Sequence, residues 1–211
     1  MSQETNQTFA PSDYFRRYDE SADENFYSVS RLVTHIDDAA IANVTELYRE
    51  FFPPGGAILD LMSSWVSHLP AEIAYSRVAG LGMNKEELDA NPRLTGRTVQ
   101  NLNKNQTLPF GDDEFDAAGI CVSVQYLTKP NVVFAELARV LKPNAPLVVT
   151  FSNRCFPTKA VFAWQMLDDE GHLDLVQQYF AVSQGFDEPE VRRFVSRRSD
   201  PLFAVLGRAK K

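Results

Sequence analysis

The stretch Ala57-Ile58-Leu59-Asp60-Leu61-Met62-Ser63-Ser64-Trp65-Val66 decides how the rest of the chain is read. A short apolar run ends in an acid and then breaks into small polar residues. That is the pattern of a buried strand entering a tight loop, with a helix expected beyond it. In open α/β sheets a ligand of nucleotide type sits outside the carboxyl end of such a strand.

Upstream, Asp37-Asp38 opens a helix in which Ile41, Val44, Leu47, Tyr48 and Phe51 recur at helical spacing. Pro53-Pro54-Gly55-Gly56 stops it. Ser12-Asp13 can cap a short helix through Tyr18, Asp19 to Asn25 reads as an acidic loop, and the polar Met1 to Pro11 is expected to fray. Downstream, Pro70 to Tyr75 has room only for a short helix, and Arg77 to Leu81 is the second strand. Asn84 caps a helix from Lys85 to Asp89, with Glu87 completing a capping box. Strands are expected at Val99 to Leu102, Phe115 to Val122 and Leu147 to Phe151, and helices at Asn131 to Leu141 and Leu173 to Val182. Val191 to Val195 and Leu202 to Leu206 flank a polar turn and read as a closing antiparallel pair. Strands that alternate with helices imply an α/β fold with a mostly parallel sheet. The expectation is a Rossmann-like seven-stranded sheet, with helices on both faces and an antiparallel C-terminal edge strand.

The chain has 211 residues, which suits one domain over residues 1–211 with its α/β core at 57–208. Its net charge of −7 argues against a dedicated nucleic-acid binder. The start shows no basic-then-apolar signal pattern and no apolar run is long enough to span a bilayer, so a cytoplasmic protein without a membrane partner is expected. Cys121 and Cys155 lack metal spacing and His35, His68 and His172 are scattered, so no metal site is expected.

Two segments in register carry a family resemblance. Leu108-Pro109-Phe110 is followed by Asp112-Asp113-Glu114-Phe115-Asp116, and then by Ala138-Arg139-Val140-Leu141-Lys142-Pro143. From Ala57 to Phe151 the chain resembles the class I S-adenosylmethionine-dependent methyltransferases, most closely their type 11 branch. The resemblance implies S-adenosyl-L-methionine as cofactor and a small-molecule acceptor. It also implies that residues 1–52 form a helical lid over the site.

Two departures stand inside it. The family's loop after the first strand is D-x-G-x-G-x-G, and aligned from Asp60 its glycine positions hold Met62, Ser64 and Val66. Glycines there allow positive φ and close approach of backbone to cofactor. Either the loop takes another path, with Ser63 and Ser64 donating hydroxyls to the methionine part, or binding is lost. The acid that binds both ribose hydroxyls in the family is replaced by Gly82. The resemblance places Met83 against the adenine, Asn84 as the substitute for the missing acid, Asn101 and Leu102 at the adenine edge and Val122 near the sulfur. Tyr27, Arg31 and His35 stand in the lid segment, where the alternative is packing and surface charge; Tyr27 and His35, with Gln125 and Tyr126 after the fourth strand and Asn153 and Arg154 after the fifth, are the expected substrate-facing residues. No catalytic base stands out. Methyl transfer from a sulfonium can run on proximity and orientation alone. The other reading open here is a non-catalytic relative that keeps the fold as a binding or partner module.

Overall fold

The computed structural model describes residues 12–210; the polar stretch Met1 to Pro11 lies outside them. After a 3₁₀ turn at Ser12–Phe15 come α1 (Asp23–Phe26), α2 (Asp38–Phe51), β1 (Ala57–Leu61), β2 (Arg77–Gly82), α3 (Lys85–Ala90), β3 (Gly96–Val99) and β4 (Ala117–Cys121). Then follow α4 (Pro130–Val140), β5 (Pro146–Phe151), α5 (Phe162–Met166), α6 (Asp169–Ser183), β6 (Glu190–Phe194) and β7 (Leu202–Arg208). The strands form one seven-stranded sheet in the order β3-β2-β1-β4-β5-β7-β6. Its first five strands are parallel, and β7 returns antiparallel to β5 with β6 at the edge. This is the Rossmann-like architecture that the alternation of elements implied. No helix of the described residues is long and apolar enough to cross a membrane.

Side chains of a strand alternate between faces, and the central strands are apolar on both because helices cover both. Ile58, Val78, Ala117 and Val148 pack toward α2 and α3. Leu59, Leu61, Ala118, Ile120, Leu147 and Val149 pack toward α4 and α6. On that second side Trp164 stacks on His172, with ring centroids 4.0 Å apart. Asp37 caps α2 by accepting from the Ala40 N–H at 2.9 Å, and Asn84 caps α3 by accepting from Glu87 at 3.0 Å. The family-like segments are structural. Asp116 accepts from the Ala57 N–H and from Lys142, tying β1 to the segment after α4. Arg139 binds Asp112 and Glu136 and the carbonyls of Leu108 and Phe110.

Four expectations need correction. Pro70 to Tyr75 forms no helix, so the β1–β2 connection contains none; a run that short cannot repay helix nucleation. β3 lies at Gly96–Val99, three residues earlier than read, because this edge strand is half polar and Asn101 instead makes a turn by accepting from the Asn103 N–H. α1 falls inside the expected acidic loop, where Asp23 is buried against Arg17 at 2.5 Å. α6 starts at Asp169, because Asp168 caps it through the Gly171 N–H.

Tyr48 on α2 is buried under the sheet, with its hydroxyl 2.7 Å from where a Cβ on Gly119 would stand. That hydroxyl has no hydrogen-bond partner. An unsatisfied buried hydroxyl costs about 1–3 kcal/mol. Tyr48→Phe is therefore expected to raise the unfolding free energy by about 1 kcal/mol in urea denaturation, and Gly119→Ala to lower it.

Candidate functional site

A cavity of about 340 Å³ opens at the carboxyl ends of β1, β2 and β4 and is roofed by the segment from Arg17 to Ile36. The floor is the loop after β1. Its first residue, Met62, has φ +58°, the left-handed conformation that glycine adopts freely. Val122, at the end of β4, has φ +42°, and His68 has φ +52°. All three line the cavity. Among the described residues the other positive-φ non-glycine positions, Asp113, Asn144 and Gln184, are polar residues of turns or a helix end. Left-handed backbone at a β-branched or bulky residue costs about 1–3 kcal/mol and concentrates where a site over-determines the chain. The loop thus keeps a glycine-like backbone at position 62 without the glycine.

Its polar side chains are committed inside the chain. Ser63 and Ser67 each donate to Asp60 Oδ2 at 2.6 Å. Ser64 donates to Glu87 at 2.7 Å, and Asn91 Nδ2 donates to both the Ser64 carbonyl and Ser67 Oγ at 2.9 Å. The Ser63 N–H bonds the Leu81 carbonyl at 2.8 Å, which draws the loop across the end of β2. A Cβ on Gly82 would overlap the Ser63 carbonyl oxygen. No side chain, acidic or otherwise, can stand at position 82 while the loop takes this course. One turn further, Glu87 presents its carboxylate to the cavity instead.

The roof is fastened by charge. Lys159, from the β5–α5 connection, is 1% exposed, lies 3.0 Å from Asp19 and 3.5 Å from Asp23, and donates to the Ser21 carbonyl at 2.8 Å. Asp23 also accepts from Asn103 at 3.0 Å. Trp65 Nε1–H donates to the Val33 carbonyl at 3.0 Å, joining floor to roof. His35 packs edge-on against Phe156 at 5.2 Å and makes no hydrogen bond through its ring. Burial, opposed by Glu87 and helped by Arg31, holds its pKa below the usual value, so the imidazole is neutral at pH 7.

The cavity brings together Asp60, Met62, Ser63, Ser64, Gly82, Met83, Asn84, Asn101, Leu102 and Val122 from the expected cofactor set, and Tyr27, His35, Tyr126 and Arg154 from the substrate set. Asn84 Nδ2 is turned to the Tyr27 carbonyl at 2.9 Å. Gln125 is fully buried outside the lining, donating to the Val122 carbonyl at 3.0 Å, and the exposed Asn153 also lies outside it. Arg31, expected with the lid, lines the cavity as well, and so do Glu87, Arg17 and Asp23, which the sequence did not single out. Only Glu87 carried a signal, its capping-box position, and that pointed to helix initiation. Among the described residues no group of His, Cys, Asp or Glu is arranged to hold a metal ion.

Burial raises the Asp60 carboxyl to about 6, and its two serine hydrogen bonds pull it back only in part. The unfolded carboxyl ionises near 3.8, so between about pH 4 and 6 the folded state holds a proton that the unfolded state has lost. Stability then falls as pH rises through that window, by about 3 kcal/mol for a shift of this size. The difference in unfolding free energy between wild type and Asp60→Asn is expected to move by that amount, in favour of the variant, from pH 4 to pH 7. Urea denaturation at both pH values measures it.

Residues 63–149 match a family described as a methyltransferase domain. No curated protein sequence is significantly similar to the chain. Solved structures share the fold at low identity. The Haloferax volcanii complex of the Trm112 methyltransferase activator gives a TM-score of 0.63 at 14% identity, over 82% of this chain and 91% of that one. A possible histamine N-methyltransferase from Thermotoga maritima gives 0.58 at 16% identity, over 81% and 90%. The cyclase SpnF gives 0.60 at 16% identity, over 80% and 81%, so the fold is not confined to proteins named as methyltransferases.

Proposed function

We propose that the chain, whose residues 63–149 match the methyltransferase-domain family, transfers a methyl group from S-adenosylmethionine to a small-molecule acceptor held under the Arg17–Ile36 roof. The observation that carries this reading is the cavity at the ends of β1, β2 and β4, whose backbone is left-handed at Met62 and Val122. The lining fits the cofactor. Met83 and Leu102 offer apolar surface for a purine, and Asn101 a polar edge beside it. Glu87 is well suited to take the task of the absent acid at position 82. Its carboxylate accepts from Ser64 and from the Arg31 N–H at 2.7 Å each, and a carboxylate has lone pairs left for a sugar diol. The buried Ser123 hydroxyl lines the cavity and has no partner.

When bound, the cofactor supplies an activated methyl group on a sulfonium. The chain supplies alignment and exclusion of water. The roof covers the cavity with Tyr27 and Ile36, and its clamp at Lys159 and Asp23 holds it down. The neutral His35 imidazole at the cavity wall has a free ring nitrogen that can accept a proton from an acceptor hydroxyl or amine. The helix-free β1–β2 connection favours a second reading, a binding module that keeps the cavity without transfer. Detection of methyl transfer to any acceptor excludes it.

Calorimetric titration with S-adenosylhomocysteine tests the proposal. Micromolar binding is expected, and Glu87→Gln should weaken it about 10-fold, the worth of one charge-assisted hydrogen bond of about 1.5 kcal/mol. Absence of heat and of thermal stabilisation at millimolar ligand would refute the cofactor assignment.

A further inference from the structure

Three arginines line the cavity, and they differ in what neutralises them. Arg17 faces Asp23 at 2.5 Å and Arg154 faces Asp200 at 2.9 Å. Arg31 has no carboxylate partner among the described residues. Its Nη1 donates to the Phe26 and Val29 carbonyls at 3.1 and 3.2 Å, and its Nη2 to the Phe26 carbonyl at 3.1 Å. Glu87 accepts from the Arg31 backbone N–H, not from the guanidinium. A guanidinium carries five N–H groups in a planar fork, and three are used. The two that remain, on Nε and Nη2, lie along one edge of the fork, at the spacing of the two oxygens of a carboxylate. The plane is held against rotation by Phe26 and Phe156, whose ring centroids are 4.6 and 5.4 Å from Cζ. His35, on the other side of its contact with Phe156, adds an uncommitted ring N–H. Behind β1, where a helix N-terminus would offer amide donors to an anion, there is no helix.

We propose that Arg31 is the anion seat of this cavity and takes a ligand carboxylate side-on through Nε and Nη2. The source of the carboxylate is the amino-acid end of the cofactor or the acceptor itself, and the first source rests on the methyl-transfer reading above. The lone-paired floor serines leave this role to the roof. The two aromatic rings hold the guanidinium by cation–π attraction, and with no carboxylate partner among the described residues the charge and the open edge are available to a ligand anion.

The test titrates the 211-residue chain with three probes: S-adenosylhomocysteine, 5′-methylthioadenosine (which lacks the amino-acid end) and benzoate. Wild type is compared with Arg31→Met and Arg31→Lys. If the cofactor brings the carboxylate, wild type binds S-adenosylhomocysteine at least about 10-fold more tightly than methylthioadenosine, as one charge-assisted contact provides. Arg31→Met then closes the gap without changing methylthioadenosine affinity, and Arg31→Lys falls between. If the acceptor brings it, the two nucleosides bind alike, and benzoate binds wild type but not Arg31→Met. Benzoate binding that depends on Arg31 while neither nucleoside binds supports the anion seat and removes the cofactor reading. A lowered melting temperature in Arg31→Met with every ligand preference unchanged overturns the proposal, leaving Arg31 a fastener of the roof backbone.

Discussion

Asp60 ends the first strand with the hydroxyls of Ser63 and Ser67 on one carboxylate oxygen, and that arrangement sets the course of the chain from Leu61 to His68. The carboxylate is buried, so it must be hydrogen-bonded or neutral. With the serines drawn inward, the loop backbone is pulled over β2, where the Ser63 N–H meets the Leu81 carbonyl. Gly82 is then the only residue that fits beneath it, and Met62 must adopt left-handed backbone to leave the strand. The missing glycines and the missing acid are thus one change and not two. A loop held by side chains crosses the place where an acid would have stood, and the carboxylate facing the cavity comes from Glu87 on the next helix.

The roof answers to a second balance of charge. Two cations, Arg17 and Lys159, converge on Asp23, and Lys159 is almost wholly removed from water. Loss of Asp23 takes from both cations their shared buried partner, which costs far more than an exposed pair contributes. The segment from Asp19 to Asp23 is therefore fixed to the β5–α5 connection, while residues 27–35 meet the floor through Trp65 and the start of α3 through Glu87 and Asn84.

The fold was legible in the sequence wherever apolar periodicity and stop signals agreed: β1, β2, β4, β5, α2 and α4 stand close to where they were read. β3 was misplaced because an edge strand needs only one apolar face, and Arg97 and Thr98 hide the pattern. The helix expected after β1 failed for lack of length. The residues expected on the cofactor side from alignment with the family's segments do line the cavity. Glu87 and the joint role of Arg17, Asp23 and Lys159 were not legible in the sequence, because Glu87 meets the Arg31 N–H across 56 positions and Lys159 meets the Ser21 carbonyl across 138, pairings that leave no local trace. Gln125 sits one turn from the cavity wall yet points into the protein, a distinction of side-chain direction that spacing does not reveal.

The two tryptophans of the chain occupy opposite kinds of environment. Trp164 is 3% exposed, stacked on His172 and outside the cavity lining. Trp65 is half-buried, lines the cavity and holds the roof by its indole N–H. The protein consequently contains its own optical reporter and its own internal reference: a change in the colour of the emission that survives removal of Trp164 is a direct record of whether the floor and the roof are in contact.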